Sequence, residues 1–213
     1  MPGANVWNTR RGRVNLFAHL LGRLYALVTG WRAVGPEPPY RSFVVIVAPH
    51  TSVWDVVHMI GISFLLRKRG HWLVKHSAYR GPLKPVLALT GAIPVVRDKK
   101  HNMVAQAVAL FRNSDSMVLG IAPDGTRTYT DSWKSGFYHI ALQAQVPIVC
   151  AFLDYRTKTG GNGMAIFPTG DIRENMEKIR AFYQTTRPRH PAGWSAMRLR
   201  AEPETGTDTG TAA

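Results

Sequence analysis

Apolar positions along the chain recur at two spacings, and the spacing changes from segment to segment. From Val14 to Trp31 the period is helical: Leu16, Leu20, Leu24 and Leu27 form one stripe, with Phe17, Leu21 and Val28 beside it. Phe43 to Ala48 is an unbroken apolar run stopped by Pro49, the pattern of a strand buried on both faces. Asp55 to Leu66 returns to helix and closes on Arg67, Lys68, Arg69 and Gly70, cations followed by a C-terminal glycine. Strands are then expected at 71–75, 91–97, 116–122, 147–153 and 164–167. Helices are expected at 77–89, broken at Gly81-Pro82, and at 102–112, 134–145 and 172–184. Helix and strand alternate almost throughout, so the expected fold is α/β: a single domain with a mostly parallel central sheet flanked by helices and an N-terminal amphipathic helix. The expected organisation is a basic amphipathic helix at 1–35, an α/β domain at 36–190 and a disordered tail at 191–213, whose part from Glu202 onward is Gly, Thr and acid without periodicity.

Charge changes this picture most. The formal net charge is +14 over 213 residues, and hydrophobic residues make up 45 %, enough for a core. Such a chain seeks anionic partners: phosphorylated small molecules, acidic lipid or nucleic acid. Nucleic acid is disfavoured, because no zinc spacing, RNA-recognition motif or helix-turn-helix is present. Arg10, Arg11, Arg13, Arg23 and Arg32 surround the first helix, and no acid precedes Glu37. That composition suits a helix lying on an anionic membrane surface, each basic residue there contributing about 1 kcal/mol. A helix packed on its own domain with arginines in water fits the same pattern. No apolar run of spanning length occurs and no signal-peptide cleavage site follows the basic residues, so a peripheral protein on the cytoplasmic face is expected. The single cysteine, Cys150, lies among apolar neighbours and excludes an internal disulfide and multi-cysteine metal sites. No metal or cofactor is called for.

Candidate chemistry sits at the ends of the strands. His50 follows the Phe43–Ala48 run, and Asp55 lies five residues on, across a strand-to-helix turn in which Ser52 and Asp55 have the spacing of a capping box. A carboxylate there can hold one imidazole nitrogen protonated and leave the other free as a base. Arg97 closes one strand, and Asp124-Gly125-Thr126-Arg127 forms a turn after another. Were these strands parallel neighbours, two guanidiniums and the backbone around Gly125 would face His50, and guanidinium forks match phosphate. Between Val56 and Val96 there is no acid, whereas Arg67, Lys68, Arg69, Lys75, Arg80 and Lys84 fall there.

Taken in order, these segments resemble the glycerophospholipid acyltransferase family, whose members include 1-acyl-glycerol-3-phosphate acyltransferases. His50 to Asp55 matches its His-x-x-x-x-Asp block, Gly91 to Arg97 its Gly-x-x-x-x-x-Arg block, Asp124-Gly125-Thr126-Arg127 its Glu-Gly-Thr-Arg block, and Val146-Pro147-Ile148-Val149 its Val-Pro-Ile stretch. The resemblance covers about residues 14–185. Asp124 departs from the family's Glu, Pro49 from its frequent Asn, and Cys150 from a frequent second Pro. The resemblance implies transfer of a fatty acyl group from acyl-CoA or acyl-carrier protein to the hydroxyl of a lysophospholipid. His50 would be the base, Asp55 its partner, and Arg97, Asp124, Gly125, Thr126, Arg127 and, less directly, Lys75 the acceptor-binding residues. A hydrolase using the same pair and an inactive acidic-lipid-binding module are the alternatives.

Overall fold

The structure, a computed structural model, describes residues 16–68, 70–96 and 103–200. Seven strands form one sheet in the order β1-β7-β6-β2-β5-β3-β4. They are β1 Arg32–Val34, β2 Phe43–Val47, β3 His71–Lys75, β4 Ala92–Val95, β5 Val118–Ile121, β6 Ile148–Asp154 and β7 Thr159–Ile166. Strands β2 to β6 run parallel, whereas β7 turns back antiparallel to β6 and carries β1 parallel to itself at the edge. The carboxyl ends of β2 to β6 therefore share one edge, where open α/β sheets bind ligands.

The helices are α1 Leu16–Thr29, α2 Trp54–Leu65, α3 Lys84–Leu89, α4 Met103–Arg112, α5 Gly136–Ala144 and α6 Ile172–Tyr183. Strand alternation explains the layering. Val44 and Ile46 of β2 join the largest core cluster with Phe111 of α4, Phe137 and Ile140 of α5 and Ile179 of α6. Phe43 and Val45 belong to a second cluster that Met59 of α2 caps, and Ile62 of α2 packs with Trp31 and Leu153 in a third. Helix α1 packs on α2 through the buried Ala18 and Gly22, leaving Leu16, Phe17, Leu20, Leu24, Leu27 and Val28 exposed.

Three expectations are corrected. Strand β1 was not foreseen, because three residues after Trp31 carry no pattern. Strand β7 begins five residues before the expected Met164, in a Thr-Gly-Gly-Asn-Gly stretch that reads as loop. The glycines are there because the sheet edge is crowded: a Cβ on Gly161 would stand 1.8 Å from the Val34 carbonyl oxygen. Residues 191–200, expected to belong to the tail, pack on the domain. Leu199 is buried and bridges to Trp133, Trp133 N–H donates to the Arg198 carbonyl at 2.7 Å, and Ala196 N–H donates to the Thr130 carbonyl at 3.1 Å. Residues 1–15 of the expected basic amphipathic helix and residues 201–213 of the expected tail lie outside the described residues.

Candidate active site

The turn between β2 and α2 builds the centre of the site. His50 Nδ1 lies 3.0 Å from Asp55 Oδ2, which also accepts the backbone N–H groups of Thr51 and Ser52, each at 2.8 Å. Asp55 thus supplies the acidic arm of the capping box. Ser52 Oγ accepts from Trp54 N–H at 3.2 Å, but the residue at the N-cap position is Val53, one later than expected. The other carboxylate oxygen, Oδ1, accepts the Tyr155 hydroxyl at 2.5 Å. Burial pushes the Asp55 carboxyl up, but the bonds from His50, Tyr155 and Ser52 outweigh it and hold the group below the usual carboxylate range. Ionised Asp55 fixes the His50 proton on Nδ1. Nε2 has no partner among the described residues, and the side chain keeps 16 % of its surface exposed, against 1 % for Asp55. The arrangement is an oriented imidazole with a free, accessible electron pair.

His50 stands at the mouth of a cavity of about 660 Å³. Along β2 its wall is made by the alternate residues Phe43, Val45 and Val47, faced by Met59 and Ile62 of α2 and by Val118 and Gly120 of β5. From Val47 back to Phe43 the strand covers about 13 Å at ~3.3 Å per residue, so the hollow is a long apolar slot. Its mouth is polar: His50, Gly125, Thr126, Arg127 and Lys134 line it.

The turn after β5, next to β2 in the sheet, brings in the second group. Gly125 N–H donates to the Ala122 carbonyl at 3.1 Å. Gly125 has a φ of +64°, which favours glycine at this turn, and the Lys134 Nζ lies so close that a Cβ there, 2.8 Å from it, would push the lysine aside. Arg127 is exposed at the mouth. Asp124 is buried and forms no ion pair with Arg127, so it does not orient that guanidinium; its Oδ1 has no hydrogen-bond partner. Burial pushes its carboxyl up to about 6, against the pull of the His50 charge and the Gly125 and Thr126 N–H groups.

The structure therefore gathers His50, Asp55, Gly125, Thr126 and Arg127 around one hollow, with Asp124 directly behind. It does not bring Lys75 there: Lys75 is exposed at the end of β3, two places from β2, and does not line the cavity. Arg97 lies outside the described residues; the strand preceding it, β4, is the sheet's edge. Sequence reasoning missed Lys134 and Tyr155. Lys134 follows a polar loop without periodicity and is placed by its own N–H on the Pro123 carbonyl at 2.8 Å. Tyr155 is 100 residues from Asp55, and no local pattern links them. The 187–193 segment also closes on the site, with His190 N–H donating to Thr51 Oγ1 at 3.2 Å.

A parallel α/β sheet with a His-x-x-x-x-Asp pair at its carboxyl edge, an Asp-Gly-Thr-Arg turn beside it and an apolar slot beneath defines a class of acyl-transferring proteins. A model of the acyltransferase family matches residues 32–154, and the chain belongs to that family. The chain is also similar in structure to the 1-acyl-sn-glycerophosphate (LPA) acyltransferase PlsC from Thermotoga maritima. The TM-score is 0.53, covering 78 % of this chain and 73 % of that one at 16 % identity, a likeness of fold.

Proposed function

We propose that the protein moves a fatty acyl group from acyl-CoA or acyl-carrier protein to the free hydroxyl of a lysophospholipid, 1-acyl-glycerol-3-phosphate being the best fit. The observation that carries this reading is the His50–Asp55 pair at the mouth of an apolar slot whose rim is cationic. The acyl chain lies in the slot with its thioester carbonyl near His50. The acceptor hydroxyl attacks that carbonyl as His50 Nε2 takes its proton; Asp55 stabilises the imidazolium. The oxygen–carbon bond forms, the carbon–sulfur bond breaks, and the imidazolium returns the proton to the departing thiolate. No acyl-enzyme is required, since the acceptor is itself the nucleophile.

Arg127 and Lys134 hold the acceptor's phosphate at the rim, with Gly125 and Thr126 shaping the turn beneath it. Arg97, carried over from the family pattern, is the further residue proposed to meet the phosphate; Lys75, which does not line the cavity, is left out of this role. Among the described residues no helix is long and apolar enough to cross a membrane. The proposed location is the surface of an anionic membrane, on its cytoplasmic face, with the exposed stripe of α1 toward the lipid.

The test is one assay panel. Labelled acyl-CoA and acyl-carrier protein are offered with lysophosphatidic acid, other lysolipids or no acceptor. Acylated lysophosphatidic acid is the expected product, and fatty acid released at equal rate without an acceptor would establish a hydrolase instead. His50→Ala is expected to lower turnover by about 10²- to 10⁴-fold with the melting temperature retained. Arg127→Ala is expected to act mainly on the KM for the phosphorylated acceptor.

A further inference from the structure

Asp55 accepts four hydrogen bonds, and three of them come from its own turn, all onto Oδ2. The fourth, onto Oδ1, comes from the Tyr155 hydroxyl, one residue beyond the segment matched by the family model. The Tyr155 ring is fixed on several sides. It meets Trp31 edge-on at 5.1 Å between centroids and His58 at 5.4 Å. The Arg189 guanidinium lies 5.9 Å from the ring centroid, and the Tyr155 backbone N–H donates to the Arg187 carbonyl at 2.9 Å. This seat aims the hydroxyl at Asp55, with the Arg189 side chain also within hydrogen-bond reach of it.

We propose that Tyr155 is a positioning residue of the acyl-transfer reaction, one that orients the Asp55 carboxylate and limits how strongly it draws a proton onto His50. This rests on the reading of His50 as the base. A carboxylate whose charge is partly taken up by a donor on Oδ1 stabilises an imidazolium on Oδ2 less strongly. Without the hydroxyl, Oδ1 is a bare oxygen on a carboxylate that is 1 % exposed. Its charge then bears on the turn alone, and His50 holds a proton to higher pH.

The other ionisable groups around this unit do not take over the role. His58 accepts or donates at Tyr25 at 2.6 Å, is stacked on Trp31 at 4.2 Å, and is held toward its neutral form by burial. Arg189 and Asp124 bear electrostatically on Tyr155 and on His50 respectively. Asp124 is untouched by removing one hydroxyl; Arg189 loses a side-chain hydrogen bond to it, a change that the Asp55→Asn background separates from the effect through Asp55. Tyr155 itself remains a donor across the working range, because burial and the Asp55 charge push its ionisation upward.

The experiment is the titration of the His50 ring by NMR in the full chain, its signal assigned by its loss in His50→Gln. In Tyr155→Phe the ring is expected to titrate about one pH unit higher. The acid limb of kcat/KM should move by the same amount, and turnover at pH 7 should be about 10-fold lower, recovering toward the unaltered protein at higher pH. The acceptor KM should stay within about twofold. In an Asp55→Asn background Tyr155→Phe should shift nothing further. An unchanged ring titration, or equal loss of activity at every pH, would overturn the proposal. Should the phenylalanine variant not fold, 3-fluorotyrosine at position 155 keeps the shape with a stronger donor and is expected to lower the ring's titration point; no shift would again overturn it. The titration needs no turnover, so an absence of acyl transfer in the unaltered protein would sink the functional reading while leaving this one decided.

Discussion

Asp124 and Asp55 are both buried carboxyls within reach of one histidine, yet their surroundings push them in opposite directions. Asp55 collects four donors; Asp124 has an oxygen with none. The pH dependence of stability separates them. Asp124 holds its proton up to about 6 in the fold, and the unfolded chain gives it up near the ordinary carboxyl value of 3.8. Between those values the folded state binds the proton more tightly, so the contribution of Asp124 falls as pH rises through that window and is flat above it. Asp55 has a lowered value, so its contribution is present above the ordinary carboxyl range and is lost as pH falls below it. Asp124→Asn is therefore expected to remove the decline between about pH 4 and 6 and to raise the melting temperature at pH 7, where the ionised carboxylate is costly. A melting series from pH 3 to 8 checks this; an unchanged slope in Asp124→Asn would show that the decline comes from another group. If Asp124 meets the acceptor, the same variant loses turnover while gaining stability, which a purely structural residue would not do.

At the scale of elements the slot depends on one strand position. Gly120 faces the cavity from β5, and a Cβ there would make near-ordinary contacts, 3.4 Å to the His71 carbonyl and 3.7 Å to Val45. Gly120→Val is thus tolerated by the sheet and sends its methyl groups toward the space that the acyl chain is proposed to fill. Displacing two or three methylenes at about 0.8 kcal/mol each predicts a roughly 10- to 50-fold loss of kcat/KM for long-chain donors. Short-chain donors should be spared, and a panel of acyl-CoA lengths reads this directly. Equal loss at all lengths would place the acyl chain elsewhere. The elements themselves were legible to differing degrees. Strand β2 and helix α2 could be read because burial on both faces and the Ser52/Asp55 turn are local properties. Strand β7 could not, because its glycines answer to the Val34 backbone, which is remote in sequence. The site divides the same way: the His50–Asp55 pair and the Gly125 turn are short motifs, whereas Lys134 and Tyr155 arrive through packing of distant segments.

The molecule as a whole carries a net charge of +14 and an apolar helix face that none of the described residues covers. Leu27 is 83 % exposed and Val28 75 %, at the end of α1 that runs into Arg32 and Lys158; Lys158 Nζ donates to the Thr29 carbonyl at 3.3 Å. Apolar side chains this open contribute little to folding, and placing each in the acyl boundary of a bilayer is worth about 1.5–3 kcal/mol. The cations around them add attraction to acidic lipid that salt screens over about 10 Å at 0.1 M. On the proposed membrane placement α1 would also present the substrate, since it packs on α2 and α2 carries Asp55 at its first turn. Leu27→Asp/Val28→Asp is therefore expected to weaken binding to vesicles containing phosphatidic acid at least 10-fold. It should leave the melting temperature within about 2 °C, because neither side chain is buried. Raising salt should weaken binding of the unaltered protein, and neutral phosphatidylcholine vesicles should bind it poorly. Turnover on lysolipid dispersed in detergent should survive the double substitution, while turnover on vesicle-borne lysolipid falls with binding. If both fall together, α1 supports the active site rather than its approach to lipid.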